Sequence, residues 1–400
     1  MFTRKLNLLV FAGLLVFAMS PDATGAFDIE TSGSVWPSHA SDGDWRVVNS
    51  SERDTELQIG VSFNQTGDVD VTNGAILTTP QRVWMGYSFA AKANVNVTDA
   101  EWIAEDHVGL GNAGSTVATV NITQSPWLVF GSCYIGASSN SAGTVNLHDG
   151  GEWTSEDYVH VGHYGAGEVN IDPNASWIAE EQVNVGFFDD SSGTVNLNGG
   201  DWTSQAGVAV GKLALFGEYS QGSVYVNAGS VLTCAGLLDV TPGGTVMLDG
   251  GLLHLGGGAI LDGAVSADVG GGTLRVEVGS TDPDSDLCTI GVGVNLAGFD
   301  LDIVFDPSFT PGVSDSFNLF DPTGGVDLGA VLATAAVTTP ADWELNLATG
   351  VMTNILAPAT PGDTNGDRIV DDRDYDNLVA QFGGAPGDES ADFDGDGVVA

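Results

Sequence analysis

The sequence predicts an all-β chain wound as a parallel β-helix with coils of about 25 residues, on three observations. One residue order recurs along the chain, its turns fall on glycine, and its apolar residues alternate at i and i+2. The block reads Val145-Asn146-Leu147, Trp153-Thr154-Ser155, Val159-His160-Val161-Gly162. It returns at Val169-Asn170-Ile171 with Trp177 and Gly186, and at Val195-Asn196-Leu197 with Trp202 and Gly211. Upstream copies carry Asn96 with Trp102 and Asn121 with Trp127. The corner glycines Gly60, Gly86, Gly111, Gly136, Gly162, Gly186 and Gly211 recur at nearly constant intervals.

Each block holds three stretches with the period of a strand that buries one face. Glycine, Asn, Asp and Ser separate them, and helical spacing is absent. Three short strands per block suit one coil of a β-helix, in which coils stack at about 4.8 Å and each covers the face its neighbour leaves open. A propeller blade needs about 40 residues and four strands, a poorer fit. Weaker copies at Val69-Asp70-Val71, Val224-Tyr225-Val226 and Val246-Met247-Leu248 extend the pattern to seven or eight coils, so residues 27–251 are assigned to the β-helix.

The order Gly-x-Val-Asn-Leu, Gly-x-Trp-Thr, Val-x-Val-Gly resembles the repeat shared by autotransporter passenger domains and exported PEP-CTERM proteins, over residues from about 57 to 250. The resemblance implies a right-handed β-helix in a secreted surface protein. Beyond it, residues 252–357 keep short alternations such as Leu274, Val276 and Val278 without the repeat, and are expected to form a β-rich cap or small sandwich. Residues 358–361, within Ala357-Pro-Ala-Thr-Pro361, have the composition of a stiff linker.

Arg4 and Lys5, the apolar run Leu6 to Met19 and the small residues up to Ala26 read as a secretory signal over residues 1–26. The apolar run is too short for a membrane span of roughly 20 residues. The mature chain is therefore expected outside the cell, secreted or at the surface, without a transmembrane span. Ten Lys and Arg against 53 Asp and Glu give a net charge of −43, which excludes nucleic acid and anionic membranes as partners for most of the surface. Three cysteines make no disulfide framework. Cys133 falls in the slot of Val83, Val108, Val159, Val183 and Val208, the place of a buried small hydrophobe.

At the C-terminus, oxygen donors fall at positions 1, 3, 5, 9 and 12 of a 12-residue loop: Asp363, Asn365, Asp367, Asp371 and Asp374, with the Ile369 carbonyl at position 7. This spacing wraps six or seven oxygens around Ca²⁺. Tyr375 to Phe382 supplies an exiting helix, with Leu378 and Val379 at helical spacing. Asp392, Asp394 and Asp396 begin a second loop with the same alternation of oxygen donors. The paired loops resemble the type I dockerin, a small α-helical calcium-loop module, over residues 362–400. That resemblance implies a cohesin-like protein partner, recognised through Asp372 and Arg373 at positions 10 and 11 and through Leu378 and Val379. Arg368 stands where Gly usually turns the loop, and Asp372 and Arg373 stand where a Ser/Thr pair is more familiar.

Two columns remain. Trp102, Trp127, Trp153, Trp177 and Trp202 form either an inward aromatic stack, favoured by the small Ala104, Ser155, Ala179 and Ser204 two residues on, or a face for an extracellular polysaccharide. Asn96, Asn121, Asn146, Asn170 and Asn196 alternate with apolar neighbours and are expected to form an outward hydrogen-bonded ladder. His160, His163 and His148 are read as exposed surface in preference to a metal site. A non-catalytic, scaffold-associated surface protein is the leading function. Its rivals are a lectin-like polysaccharide binder and a β-helical lyase or glycoside hydrolase. A hydrolase needs two carboxyls about 5 to 9.5 Å apart, but Glu101, Glu152, Glu180 and Asp201 recur with the repeat, and no single coil stands out.

Overall fold

The computed structural model describes residues 57–355 apart from 61–62, 65, 73, 75, 213–218, 269, 280–287, 312–314 and 333–334. It also gives the backbone of the strands Ala26–Ile29, Ser34–Val35, Ser41–Asp42, Trp45–Asn49 and Thr55–Ile59. The segments 1–25 and 356–400, with the expected signal, linker and calcium loops, lie outside the described residues.

The chain winds as a parallel β-solenoid of about nine turns, each giving one strand to each of three sheets of ten, twelve and thirteen strands. The coil at Ala142–Leu147, Glu152–Ser155 and Val159–Val161 shows the order, with strands of six, four and three residues. Register is fixed one coil to the next: Val145 pairs with Val169, Trp153 with Trp177, and Val159 with Val183. The strand period of two keeps that register, since a slip by one residue would turn every apolar side chain outward.

The interior is a set of vertical columns. The first sheet buries Val95, Val120, Val145, Val169 and Val195, and below them Val97, Ile122, Leu147, Ile171 and Leu197. The third sheet buries Val108, Cys133, Val159, Val183 and Val208. Cys133 is wholly buried in its valine slot, as its position in the repeat predicts, and burial pushes its thiol far up. The glycines that end the third strand hold φ between +68° and +75° at all seven positions from Gly60 to Gly211. At Gly136 a Cβ would also sit 2.4 Å from the Ala166 carbonyl oxygen, so both backbone sign and space demand glycine.

The solenoid does not stop at 251. Leu252–Leu255, Gly272–Val278, Phe299–Phe305 and Ala336–Thr338 extend the second sheet, and Ala259–Leu261, Cys288–Ile290 and Phe320–Pro322 extend the third. The expected change of architecture at 252 is thus corrected. The buried column Leu253, Leu274, Leu301 continues the Trp column while corner lengths vary and hide the period. At one end of the third sheet Ser41–Asp42, Trp45–Asn49 and Thr55–Ile59 pair antiparallel, and at the other end a three-stranded antiparallel sheet, Ser316–Asn318, Val351–Asn354 and Trp343–Asn346, departs from the winding. Phe305, Phe309, Phe317 and Trp343 pack edge to face or tilted there, with centroids 5.2 to 6.0 Å apart. Such a cap covers apolar surface that the last coil would otherwise expose. Among the described residues no helix is long and apolar enough to cross a membrane.

Candidate functional site

The five tryptophans are inside. Trp102, Trp127, Trp153, Trp177 and Trp202 are at most 1% exposed, and their rings stack with centroids 4.4 to 4.9 Å apart and planes within 18°. A polysaccharide cannot reach them, so the glycan-face alternative is corrected in favour of the core stack. Burial of each ring contributes about 5 kcal/mol as an upper estimate, which outweighs anything an exposed aromatic ladder would retain.

A finer pattern lies within the stack. The Trp102 Nε1–H donates to Thr79 Oγ1 at 3.3 Å and the Trp177 Nε1–H to Ser155 Oγ at 3.2 Å, each hydroxyl belonging to the preceding coil. Trp127, Trp153 and Trp202 have no partner for Nε1. The residues at the matching place beneath them are Ala104, Val129 and Ala179, none with a hydroxyl.

The asparagine column forms the expected ladder. Each carboxamide donates to the oxygen of the coil before it, from Asn196 through Asn170, Asn146, Asn121 and Asn96, at 2.6 to 2.9 Å. It ends on the carboxylate of Asp70, which needs only to accept. All the amides point one way, so these groups are spent on one another and not on a ligand.

His160 is buried and His163 half-buried, whereas His148 keeps 43% of its side chain exposed, as the surface reading expects. His160 is 8% exposed, stacked on Tyr134 at 5.5 Å and covered by Phe187 at 4.1 Å, and its Nδ1 is buried without a hydrogen-bond partner. Burial, then the charges of His163 and Lys212, push its pKa down to about 3, with Asp157 opposing. His163 lies 5.1 Å away and is also lowered, chiefly by burial. His148 is elsewhere, paired with Asp172 at 2.8 Å. Among the described residues no group of three or more His, Cys, Asp or Glu side chains is arranged to hold a metal.

Beside this cluster one corner is shorter than those of its neighbouring coils. In the neighbouring turns the passage from corner glycine to the next strand takes six residues, as in Gly111 to Val117, Gly136 to Ala142 and Gly186 to Ser192. From Gly162 to Ala166 it takes four. The missing pair would include the left-handed residue that Asn64, Ala90, Ser115, Asn140 and Asp190 supply at the other corners, with φ near +60°. The short corner also lacks the hydroxyl that staples its neighbours, where Thr116 Oγ1 donates to the Ala113 carbonyl, Ser141 Oγ to Ser138 and Ser191 Oγ to Phe188. Only glycine fits the shortcut at 165, because a Cβ would lie 2.4 Å from the Ser138 carbonyl oxygen.

The result is a notch of about 370 Å³ at the corner between the third and first sheets. Gly165 lies in its floor, Ser115, Asn140, Asp190 and Ser192 line it, and Tyr164 stands at its edge, 45% exposed. Tyr164 is held by Phe188, stacked at 4.2 Å and 2°, and by His163 edge-on at 4.4 Å. The sequence carried a trace of this in the shortened interval that follows Gly162 in the glycine series.

No protein-family model, curated protein or solved structure matches the chain. The fold therefore rests on the geometry, which is that of a β-solenoid, and the likeness to autotransporter, PEP-CTERM and dockerin sequences rests on the motifs alone. Of the acids considered for hydrolysis, Glu101, Glu152 and Asp201 begin strands of the second sheet, and none lines the notch. Glu180 neighbours Glu156, whose pKa is raised by burial and then by Glu180. The ligands expected for calcium, Asp363, Asn365, Asp367, Ile369, Asp371, Asp374, Asp392, Asp394 and Asp396, and the expected partner residues Asp372, Arg373, Leu378 and Val379, fall outside the described residues.

Proposed function

We propose that the chain is a secreted, non-catalytic solenoid rod attached to a cohesin-type partner through its calcium-dependent, dockerin-like tail. The observation that carries the non-catalytic part is the lining of the notch at the corner shortened by two residues. It contains a single carboxylate, Asp190, and no cationic side chain or imidazole. Glycoside hydrolysis needs a second carboxyl, and elimination needs a base beside a group that neutralises the substrate carboxylate. The attachment rests on the oxygen spacing from Asp363 to Asp374 and its recurrence at Asp392.

The test uses the mature full chain in millimolar Ca²⁺ and again with chelator, against immobilised cohesin domains and a polysaccharide panel. Calcium-dependent capture by a cohesin, lost in the Asp363→Ala/Asp367→Ala variant, supports the reading. Capture that ignores chelator, or release of new reducing or unsaturated ends from any polysaccharide, overturns it.

A further inference from the structure

The notch at Tyr164 combines features found nowhere else among the described coils. Its aromatic plane is exposed yet immobilised, because Phe188 backs the ring and His163 braces its edge. An apolar ring face presented in a fixed orientation is what the C–H face of a sugar stacks on, and fixing it beforehand removes part of the ordering cost of binding. The walls are polar. Thr116 and Ser141 are tied to backbone carbonyls, but the side chains of Ser115, Asn140, Asp190 and Ser192 make no hydrogen bond within the described residues. They offer hydroxyl, carboxamide and carboxylate groups around one opening, the set that pairs with vicinal hydroxyls.

Size and charge narrow the ligand. A volume of about 370 Å³ lies at the small end of ligand sites, room for one or two sugar rings. The chain carries a net charge of −43 and the notch its own carboxylate, so uronates and sulfated sugars are repelled. The notch is open along the rod, where the adjoining corners present the small residues Gly114 and Ser139. A chain of sugars leaving the notch along that edge passes Ser139 and Gly114 before it reaches the exposed ring of Phe89.

We propose that this notch is a binding site for a ring of a neutral polysaccharide, stacked on Tyr164 and hydrogen-bonded by Asn140 and Asp190. The residues that line it lie between Ser115 and Ser192, well before the expected calcium loops in the sequence. The sugar-binding face is thus a corner formed by deletion of two residues, not the tryptophan column.

The test is titration calorimetry of the full chain, in chelator so that the tail is silent, with neutral pentasaccharides of β-linked glucose, xylose and mannose and with a pentagalacturonate. Tyr164→Ala and Asp190→Asn are the point variants, and insertion of Asn-Ser after Gly165 restores the regular corner, with Asn at the left-handed place and Ser at that of the stapling hydroxyl, and fills the notch. Binding of at least one neutral sugar is expected, weakened by at least about tenfold in all three variants, with melting of Asp190→Asn unchanged and Tyr164→Ala still folding cooperatively. No binding of any neutral sugar, equal binding by Tyr164→Ala, or preference for the uronate overturns the proposal. If the insertion variant misfolds, the two point variants decide. Loss of cohesin capture on chelation leaves this result untouched, so failure of either reading is visible separately.

Discussion

The indole stack makes a prediction that can be worked from geometry. Ser155 accepts from the Trp177 N–H at 3.2 Å, and one coil further Ala179 occupies the same place under Trp202, whose N–H has no partner. The Trp153–Trp177 and Trp177–Trp202 planes differ by only 5° and 4°, so the two sites superpose closely. Ala179→Ser therefore sets a hydroxyl about where Trp202 needs one. The new O–H also requires an acceptor. Thr79 Oγ1 donates to the Ile103 carbonyl and Ser204 Oγ to the Gly207 carbonyl, so backbone acceptors are within reach at this position. A net buried hydrogen bond contributes about 1 kcal/mol, while orphaning a buried donor costs about 1 to 3 kcal/mol. Ala179→Ser is expected to stabilise by about 1 kcal/mol and Ser155→Ala to destabilise by about 1 to 3 kcal/mol. Urea unfolding followed by tryptophan fluorescence reads both. A Ser155→Ala protein with an unchanged midpoint, or an Ala179→Ser protein that unfolds earlier, refutes the assignment.

Truncation of Trp153 or Trp177 to Ala leaves a cavity in the core and is expected to cost about 3 to 5 kcal/mol; sugar binding by whatever remains folded, measured by the same calorimetry, should not change. Asn146→Asp puts an acceptor where the ladder needs a donor toward Asn121, so stability at neutral pH should fall by about 1 to 3 kcal/mol and recover in acid as the new carboxyl takes a proton, whereas Asp70→Asn at the ladder's end should be nearly silent in the same denaturation series. His160 is neutral in the fold down to a pH of about 3 but takes a proton near 6.5 when unfolded. Between those values the unfolded chain binds more protons, so stability should fall by a few kcal/mol as pH drops from about 6.5 toward 3, and His160→Phe should flatten that part of the pH profile. Glu156 is raised by burial and by its neighbour Glu180, so Glu180→Gln should stabilise slightly at neutral pH and not at all in acid, as read by thermal melting at both.

Much of the fold was legible because a solenoid repeats its physics. Every coil solves the same problem, so the left-handed corner at Gly60 through Gly211, the valine columns and the asparagine ladder each appear many times in the sequence. The inward direction of the tryptophans could be read from the small residues two positions on, as Ser155 and Ala179 are buried beside them. What was hidden lay where spacing changed without loss of the columns. Thr245 pairs with Ala264 across a short coil, whereas Ala259 pairs with Cys288 and Gly272 with Phe299 across long ones. No fixed period survives beyond 251, although Leu253, Leu274 and Leu301 still stack. The notch was hidden for a related reason: a shortening by two residues at Gly162 is small beside the drift of the repeat. Its meaning depends on the corner residues Asn140 and Asp190, which flank it in space and belong to the coils before and after it in sequence. The burial of His160 likewise needs Phe187 from the following coil.

The hydrogen bonds between coils run along the axis of the rod, because strands of successive coils lie side by side. A load applied at the C-terminus along that axis meets these bonds one coil at a time and not all together. The molecule should then lengthen under tension in steps, each step freeing one coil and about 85 Å of extended chain, while the coils beyond the break keep their neighbours and stay wound. Pulled from its two ends, such a rod would absorb a sudden tug by paying out length while most of its coils stay wound.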